Sequence, residues 1–336
     1  MENKRNIIIS AGGTGGHIIP AITIGLSLKS VSPVFTCGAR DIEKTIYKSY
    51  GLNPVEFALG SFSPARYIIS FPKNFMKAVK LIYDKNPSSV FVAGNYTSGP
   101  MGLAAVMMNK KLLAIEQDAL IGKANRIFSL FAHKIFTAYK PPFRHIDNSK
   151  AVFIGHVLRS DIRKPVKQNG DIDVNTNRKK ILIIGGSQGA LSMTKKIIEI
   201  LYETNKYHLI VVAGKSYDKF EKRSEMTILS FYKNMGWLYS LADIIIARSG
   251  ALSVAEIAFT NKPALFVPLS SASNDEQKMN ILSLIRKNKQ FDFISEKSLT
   301  RESLIKKLNR IENMRGENMH NEEMFSNQIE TIERYV

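Results

Sequence analysis

The sequence predicts an α/β protein with two Rossmann-like lobes facing across a cleft. The chain opens with an apolar strand, a glycine loop and a helix in "NIIISAGGTGGHIIPA", residues 6–21, and the same order returns in "KILIIGGSQGALSMTKK", residues 180–196. Both halves then alternate short β-branched runs with helical stretches, which is typical of parallel sheets with crossover helices. The length of 336 residues also suits two domains.

The same pattern sets the expected boundaries. We expect an N-terminal lobe over residues 1–157, a second lobe over 158–311, and a C-terminal helical segment over 312–336 that could pack back on the N-terminal lobe. Residues 163–180 are polar and almost free of large apolar side chains, which predicts a linker or a long surface loop.

Composition narrows the class of protein. A single cysteine, Cys37, excludes a disulfide framework. The sequence contains no run of 18 apolar residues, so it predicts no membrane span. The formal net charge is +18, and residues 1–155 hold 19 Lys and Arg against 8 Asp and Glu. Such a charge favours an anionic ligand, a membrane surface or nucleic acid, although a lysine-rich composition explains much of it. Without zinc-finger spacing or an RNP-like motif, we expect no nucleic acid partner.

The two glycine loops predict sites for a phosphate-containing ligand. A glycine loop between a strand and a helix lets backbone N–H groups approach an anion, and the helix dipole adds positive charge. Neither loop has the lysine of a Walker A motif, and the dinucleotide pattern fails because Ile18 stands where its third glycine would fall. NAD and ATP are therefore disfavoured, while tight turns without a ligand remain an alternative.

Six motifs in order resemble the MurG family of bacterial glycosyltransferases: "GGTGGHIIPA", "AGNYTSGPMGLAA", "IEQDALIGKANR", "GGSQGA", "RSGALSVAEIA" and "NDEQKMN". The resemblance runs from about Ile7 to about Asn288. It implies a GT-B type glycosyltransferase fold and inverting transfer of N-acetylglucosamine from UDP-N-acetylglucosamine to undecaprenyl-diphospho-N-acetylmuramoyl-pentapeptide (lipid I). It further implies no cofactor, no required divalent ion, a role in cell wall biogenesis, cell shape and division, and a peripheral protein on the cytoplasmic side of the cell membrane.

The resemblance also implies a donor site. Arg159 matches an arginine near the donor phosphates, and the carboxylate of Glu256 matches one that binds the ribose hydroxyls. From the residues alone, Ser253 and Glu256 form a capping-box pattern, which is the alternative. His156-Val157 stands where the family usually has Asn-Pro. The full set of implied donor residues is Thr14, Gly15, Gly16, Asp118, Arg159, Ser187, Gln188, Ala251, Leu252, Ser253, Glu256, Gln277 and Asn280.

The first lobe is expected to bind the acceptor and to supply the base. The implied acceptor residues are Gly12, Gly13, Gly16, Tyr96, Ser98 and Asn125, with the glycine loop as an anion cradle for the diphosphate. His17 closes the glycine loop before a helix that is expected to start near Pro20. Its ordinary pKa suits a general base, and ligand binding or ordering of the loop is its alternative role. Glu116 and Asp118 are rival bases, and Asp118 replaces an asparagine usual in the family. No His, Cys, Asp and Glu cluster at metal-ligand spacing is present, so no metal is expected.

A helix in "FPKNFMKAVKLI", residues 71–82, predicts contact with an anionic membrane surface. Its apolar face carries Phe71, Phe75, Val79 and Ile82, and Lys73, Lys77 and Lys80 share the other face. A core helix with solvated lysines fits the pattern equally well. Three other functions stay open: a diacylglycerol glycosyltransferase, a basic nucleic-acid-binding protein, and a UDP-sugar binder without activity.

Overall fold

The computed structural model describes residues 4–59, 63–186, 190–269, 275–314 and 322–336. The chain divides into two compact units, Met1–Val157 with Asn321–Val336 and Leu158–His320. Each unit is built on one parallel sheet with helices connecting the strands, which confirms the prediction of two α/β lobes.

Seven parallel strands form the sheet in the described part of the first unit, in the order β3-β2-β1-β4-β5-β6-β7. The interior strand β1 is fully buried at Ile7, Ile8 and Ile9, as the apolar run predicts for a strand covered on both faces. The chain order reverses beside β1, which places a switch point between β1 and β4. The strands are β1 (Arg5–Ser10), β2 (Val31–Gly38), β3 (Val55–Phe57), β4 (Ser89–Val92), β5 (Lys111–Glu116), β6 (Lys134–Thr137) and β7 (Ala151–Phe153).

The helices of this unit begin just beyond the strand ends. In α3 the side chain of Ser63 caps the N-terminus, and Asn86 ends the helix in the left-handed conformation. Helix α4 packs against both α3 and α5. The helices up to residue 157 are α1 (Gly15–Ser27), α2 (Asp41–Ser49), α3 (Pro64–Lys85), α4 (Gly99–Met107) and α5 (Lys123–Phe131).

The predicted lipid-facing side of α3 points into the protein, so this prediction is wrong. Ile82 is fully buried, and Phe75 and Val79 pack against the core of the unit. Phe71 stacks on Phe75 with 6.3 Å between ring centroids. The periodic pattern marked the core side of the helix because sheet packing and membrane binding need the same spacing.

The second unit repeats this plan with six parallel strands among its described residues, in the order β10-β9-β8-β11-β12-β13. Its core lies between the sheet and the helices, with Ile183, Val211 and Ile246 fully buried. The strands are β8 (Lys179–Ile184), β9 (Tyr207–Val212), β10 (Met226–Leu229), β11 (Ile244–Ala247), β12 (Ala264–Phe266) and β13 (Phe291–Phe293). The helices are α6 (Ser160–Arg163), α7 (Leu191–Tyr202), α8 (Met235–Leu241), α9 (Ala251–Thr260), α10 (Asp275–Lys287) and α11 (Arg301–Ile311).

Two further segments complete the fold, a long connection and the last helix. Residues 164–178 contain no helix or strand, and Trp237 anchors them by donating from Nε1 to the carbonyl of Ile172 at 2.8 Å. The last helix, α12 (Glu322–Glu333), belongs to the first unit, where the side chain of Gln328 donates to the carbonyl of Ile154 at 2.8 Å. None of the helices in the described part of the chain is long and apolar enough to cross a membrane.

Candidate functional site

The predicted residues of the first unit gather at one edge of its sheet. Strands β1, β4 and β5 end at Ser10, Val92 and Glu116, and the loops that follow hold the predicted acceptor and catalytic residues. The carboxyl edge beside a switch point is where open α/β sheets usually bind ligands. The fold therefore brings three separate motifs of the sequence to one edge.

The first glycine loop is held from below by a carboxylate. The N–H of Gly13 donates to Oε1 of Glu43 at 3.0 Å, so the predicted anion cradle has one N–H fewer to offer. Gly13 has φ +85°, and a Cβ there would lie 1.9 Å from the side-chain nitrogen of Asn95. Only glycine fits this close approach.

The N-terminus of α1 remains suited to an anion. The helix begins at Gly15, with Thr14 extended before it and with no acidic residue in its first turn. Among the described residues, no side chain caps this end. The first-turn N–H groups and the helix dipole therefore favour a negatively charged group beside Gly15 and Gly16.

His17 lies in the first turn of α1 and is partly buried. Burial lowers the pKa of this histidine, and the nearby charge of Asp118 acts in the opposite direction. A helix N-terminus also disfavours a positive charge. The imidazole is therefore neutral near pH 7 and able to accept a proton.

The carboxylate of Glu116 is buried and accepts three internal hydrogen bonds. Its donors are the N–H of Asp118 at 3.0 Å, the N–H of Gly122 at 2.8 Å and Nδ2 of Asn125 at 3.0 Å. Burial, followed by the charge of Asp118, raises the pKa of Glu116 to about 7, against these hydrogen bonds. Glu116 thus holds the loop after β5 in place, which is a structural role separate from proton transfer.

Asp118 influences the titratable groups near it by its charge. Its carboxylate acts on the pKa values of His17, Glu116 and Tyr139. The next residue towards the N-terminus, Gln117, is contacted by Nδ1 of His156 at 3.3 Å, and burial lowers the pKa of His156 to about 4. The two departures from the family pattern, Asp118 and His156, therefore belong to one corner of the first unit.

Two of the predicted acceptor residues are internal. Ser98 is fully buried and donates to the carbonyl of Ser10 at 2.8 Å. Asn125 is 1% exposed and donates to the carbonyl of Ile115 at 2.8 Å as well as to Glu116. Their geometry does not support direct contact with an acceptor, because both side chains are committed to holding loops.

Tyr96 is better placed for the predicted contact. It is partly exposed in the turn after β4, and its hydroxyl accepts a hydrogen bond from Arg40. Its carbonyl accepts one from the hydroxyl of Tyr67 at 3.2 Å. The turn is thus fixed on both sides while the tyrosine keeps an exposed part.

In the second unit, the predicted glycine loop follows β8. Gly186 has φ +76°, and α7 begins at Leu191. The predicted donor residues Ser187 and Gln188 lie outside the described residues.

The helix after β11 offers a second open N-terminus. Helix α9 begins at Ala251 with Gly250 as its N-cap, and no side chain of the described residues caps it. Ser253 lies inside the first turn, so the capping-box alternative for Ser253 and Glu256 is wrong. The N–H groups at Ala251 and Leu252 suit an anion, as those of α1 do.

Glu256 and Arg159 form a buried ion pair. Nε of Arg159 donates to Oε1 of Glu256 at 3.0 Å, and the hydroxyl of Tyr239 donates to Oε2 at 3.1 Å. The two partners are 6% and 3% exposed, and Asp161 lies 3.4 Å from the same nitrogen of Arg159. Burial raises the pKa of Glu256, and Arg159 opposes that rise. The predicted phosphate contact of Arg159 is not supported by this geometry, because Nε and Nη1 are used internally.

The segment after β12 approaches the start of α9 through one amide. Asn280 is 1% exposed and donates to the carbonyl of Ser249 at 3.3 Å. Gln277 accepts from the N–H of Leu269 at 2.9 Å. The described part of the chain holds no group of three His, Cys, Asp or Glu residues that could bind a metal ion.

Sequence reasoning missed the side chains beneath these loops. Glu43 belongs to the buried side of α2 together with Ile46 and Tyr47. A glutamate spaced three and four residues from apolar residues was the available signal, since it places the carboxylate on the core side. Tyr239 carried no comparable signal, because its role depends on contact with a residue from another helix.

Comparisons with known protein families match both units. Residues 7–137 match the glycosyltransferase family 28 N-terminal domain, and residues 180–334 match the glycosyltransferase family 28 C-terminal domain. Two curated relatives are named UDP-N-acetylglucosamine–N-acetylmuramyl-(pentapeptide) pyrophosphoryl-undecaprenol N-acetylglucosamine transferase. The relative from Sulfurihydrogenibium sp. is 30% identical over 311 residues, which cover 90% of this chain and 89% of the relative. The relative from Francisella tularensis subsp. mediasiatica is 32% identical over 331 residues, covering 91% and 88%.

Solved structures share the fold. The crystal structure of Acinetobacter baumannii MurG is similar with a TM-score of 0.64 and 23% identity, covering 99% of this chain and 95% of the other. A structure of S. aureus MnaA with UDP has a TM-score of 0.71 and 13% identity, covering 98% and 96%. At these identities the likeness supports the two-unit architecture alone.

Proposed function

The chain belongs to glycosyltransferase family 28 and to the group of N-acetylglucosamine transferases that act on N-acetylmuramyl-(pentapeptide) pyrophosphoryl-undecaprenol, and from this membership we propose its reaction. The protein transfers N-acetylglucosamine from UDP-N-acetylglucosamine to the 4-hydroxyl of undecaprenyl-diphospho-N-acetylmuramoyl-pentapeptide. The structural observation that carries the proposal is that α1 and α9, which follow strands β1 and β11 at the carboxyl edge of each sheet, begin without a first-turn acid and without a side-chain cap from the described residues. Both substrates contain a diphosphate that such an end can bind.

The second unit binds the donor in this proposal. The N-terminus of α9 takes the diphosphate of UDP, and the carboxylate of Glu256 accepts the ribose hydroxyls. Each carboxylate oxygen has two lone pairs, so Glu256 can still accept hydrogen bonds while Arg159 and Tyr239 donate to it. Arg159 acts by holding Glu256 in place. Ser187, Gln188, Gln277 and Asn280 supply polar groups for the sugar.

The first unit binds the acceptor. The N-terminus of α1, at Gly15 and Gly16, takes the diphosphate of the lipid carrier, and Tyr96 forms a wall of the site. His17 is the proposed base, because its neutral imidazole lies in the first turn of the same helix. Asp118 is the charged neighbour that favours the imidazolium formed during transfer.

The reaction is a single displacement with inversion at the anomeric carbon. The acceptor hydroxyl attacks that carbon, His17 takes the proton, and UDP leaves with the bonding electrons. The dipole of α9 offsets the charge that grows on the departing diphosphate. The proposed mechanism has no step that needs a cofactor or a divalent ion.

A transfer assay tests this function. Purified protein is incubated with radiolabelled UDP-N-acetylglucosamine and a short-chain analogue of the muramoyl lipid, and the product is analysed for a β-1,4 linkage. Product from this analogue and none from diacylglycerol is the expected result. Transfer to diacylglycerol, UDP binding without product, or salt-dependent RNA binding without turnover would each point to one of the other functions.

Peripheral attachment to the cytoplasmic side of the cell membrane is a second part of the proposal. The residues that support it are different from those predicted on α3. Apolar side chains exposed on α3, α4 and α5 are Ile68, Ile69, Met76, Tyr83, Leu103, Met107, Ile127, Leu130 and Phe131. These helices pack side by side, and the 19 Lys and Arg of residues 1–155 suit anionic lipids.

Vesicle sedimentation tests the attachment. The protein should bind vesicles that contain phosphatidylglycerol and bind neutral phosphatidylcholine vesicles less. Replacing Ile69 and Met107 together by serine should reduce binding, whereas Val166→Ser, at a 63% exposed residue of the other unit, should not. Equal binding to both vesicle types would contradict the electrostatic part.

A further inference from the structure

Glu43 is a buried carboxylate that lies beneath the first glycine loop and has no part in the proposed chemistry. Its side chain is fully buried, and Oε1 accepts the N–H of Gly13 at 3.0 Å. If a Cβ were present on Gly12, Oε2 of Glu43 would lie 3.0 Å from it. The carboxylate therefore packs directly against both glycines.

Arg40, three residues earlier, connects this carboxylate with a second loop. Its Nε lies 3.8 Å from Oε1 of Glu43, and its Nη2 donates to the hydroxyl of Tyr96. The guanidinium carbon is 5.5 Å from the centre of the tyrosine ring, within cation–π distance. The start of α2 thus links the glycine loop after β1 with the turn after β4.

Direct bonds between those two loops complete the connection. The side chain of Asn95 donates to the carbonyl of Gly12 at 3.2 Å. Loops that are tied to each other and to one helix end move together, so a change at Glu43 reaches Tyr96 through two routes.

The electrostatic cost of the buried Glu43 carboxylate indicates a role beyond stability. A carboxylate under a loop that receives a diphosphate repels the ligand and costs desolvation. Burial raises the pKa of Glu43, while the N–H of Gly13 and the charge of Arg40 lower it. An apolar side chain would avoid that cost, but it could not accept the N–H of Gly13 or orient Arg40.

We infer that Glu43 is a positioning residue for acceptor binding, which fixes the glycine loop through Gly13 and sets Tyr96 through Arg40. The inference rests on the proposed function, because it presumes that a lipid-linked diphosphate binds at Gly15 and Gly16. With the loop fixed, the first turn of α1 faces the diphosphate without a change in backbone conformation. The geometry of Gly13 thus serves the binding site indirectly.

Two variants of one residue test this role. Glu43→Ala removes the acceptor of the Gly13 N–H, whereas Glu43→Gln retains an oxygen that can accept it. Glu56→Ala is the matched control. Glu56 of β3 forms an ion pair on the surface, at 2.9 Å, with Lys44 of α2, the helix that also carries Glu43. Hydrogen exchange measured by mass spectrometry reports on residues 11–17 and 94–99 without any substrate, and steady-state kinetics report on the acceptor.

Glu43→Ala should raise exchange in both segments and increase the acceptor KM about 10-fold or more, because misplaced binding groups lose orientation. Its affinity for UDP should stay within about 2-fold of the parent, since the proposed contacts with UDP, at the N-terminus of α9 and at Glu256, belong to the other unit. Glu43→Gln should restore both readouts to within about 3-fold of the parent.

Unchanged exchange and unchanged acceptor KM in Glu43→Ala would overturn the inference, as would a Gln variant no better than the Ala variant. If the parent protein transfers no sugar at all, the proposed function fails instead. In that case raised exchange in both segments of Glu43→Ala would still establish that Glu43 holds the two loops.

Discussion

Removing the carboxylate of Glu256 should weaken both folding and donor binding. In Glu256→Ala the guanidinium of Arg159, 6% exposed, loses its 3.0 Å partner and keeps Asp161 at 3.4 Å. The hydroxyl of Tyr239 loses its acceptor as well. A charged group and a hydroxyl are left inside the second unit without their main partner.

The expected cost follows from this burial. Breaking a buried ion pair by removing one partner costs about 3–5 kcal/mol, because the remaining charge stays desolvated. The exposed pair of Arg301 and Glu203, whose side chains are 58% and 62% exposed, provides the contrast. Glu203→Ala should cost about 1 kcal/mol or less.

Urea unfolding measures the first effect and UDP titration calorimetry the second. UDP affinity should fall at least about 10-fold, since charge-assisted hydrogen bonds to the ribose are lost. Combining Glu256→Ala with Arg159→Met should recover part of the stability but none of the affinity. A stability loss in Glu256→Ala no larger than that in Glu203→Ala would refute the buried pair, and unchanged UDP affinity would refute the ribose contact.

Three further predictions concern the base. His17→Ala should lower kcat at least ~100-fold with UDP affinity nearly intact, and an effect limited to the acceptor KM would make His17 a binding residue. Because the pKa of His17 is lowered from 6.5, kcat should hold as pH falls to 6.5, whereas a limb near pH 7 would indicate Glu116 as the base. Because the pKa of Glu116 is raised in the folded protein, the protonated carboxyl contributes to the free energy of unfolding. This contribution is fully present below pH 4.5 and is lost as pH rises through about 7. Glu116→Gln should therefore reduce the fall in unfolding free energy between pH 5 and pH 8 by about 2 kcal/mol or slightly more.

The sequence predicted the parts of the fold that local chemistry determines. Two strand, glycine loop and helix units were visible because buried parallel strands are continuous apolar runs, as in Ile7–Ile9, and because the turn at Gly13 admits only glycine. The same pattern placed the N-terminus of α9 correctly at Ala251, but it placed the start of α1 near Pro20, whereas this helix begins at Gly15. These features depend on neighbours in the chain, so the sequence alone contains them.

Contacts between distant residues were not predictable in that way. The α3 pattern could not say which apolar side meets the sheet, and Ile82 turned out to be core while Ile69 is exposed. The partners of Glu256 lie 97 residues before it and 17 residues before it, on other elements. A spacing rule such as the capping box cannot include such partners, and the tertiary ion pair took the place of the local one.

The two departures from the family pattern have a common physical consequence. An asparagine amide at the position of Asp118 would carry no charge, whereas the carboxylate raises the pKa of Glu116 and also favours protonated His17. His156 cannot neutralise this carboxylate at neutral pH, because burial lowers its pKa to about 4. The added negative charge therefore acts on the two candidate bases. For both groups it favours the proton-bearing form: on Glu116 it adds to the rise in pKa that burial causes, whereas on His17 it opposes the fall in pKa that burial causes. The charge therefore leaves His17 and Glu116 as rival bases, and the pH dependence of kcat distinguishes them: its limb should lie below pH 6.5 for His17 and near pH 7 for Glu116.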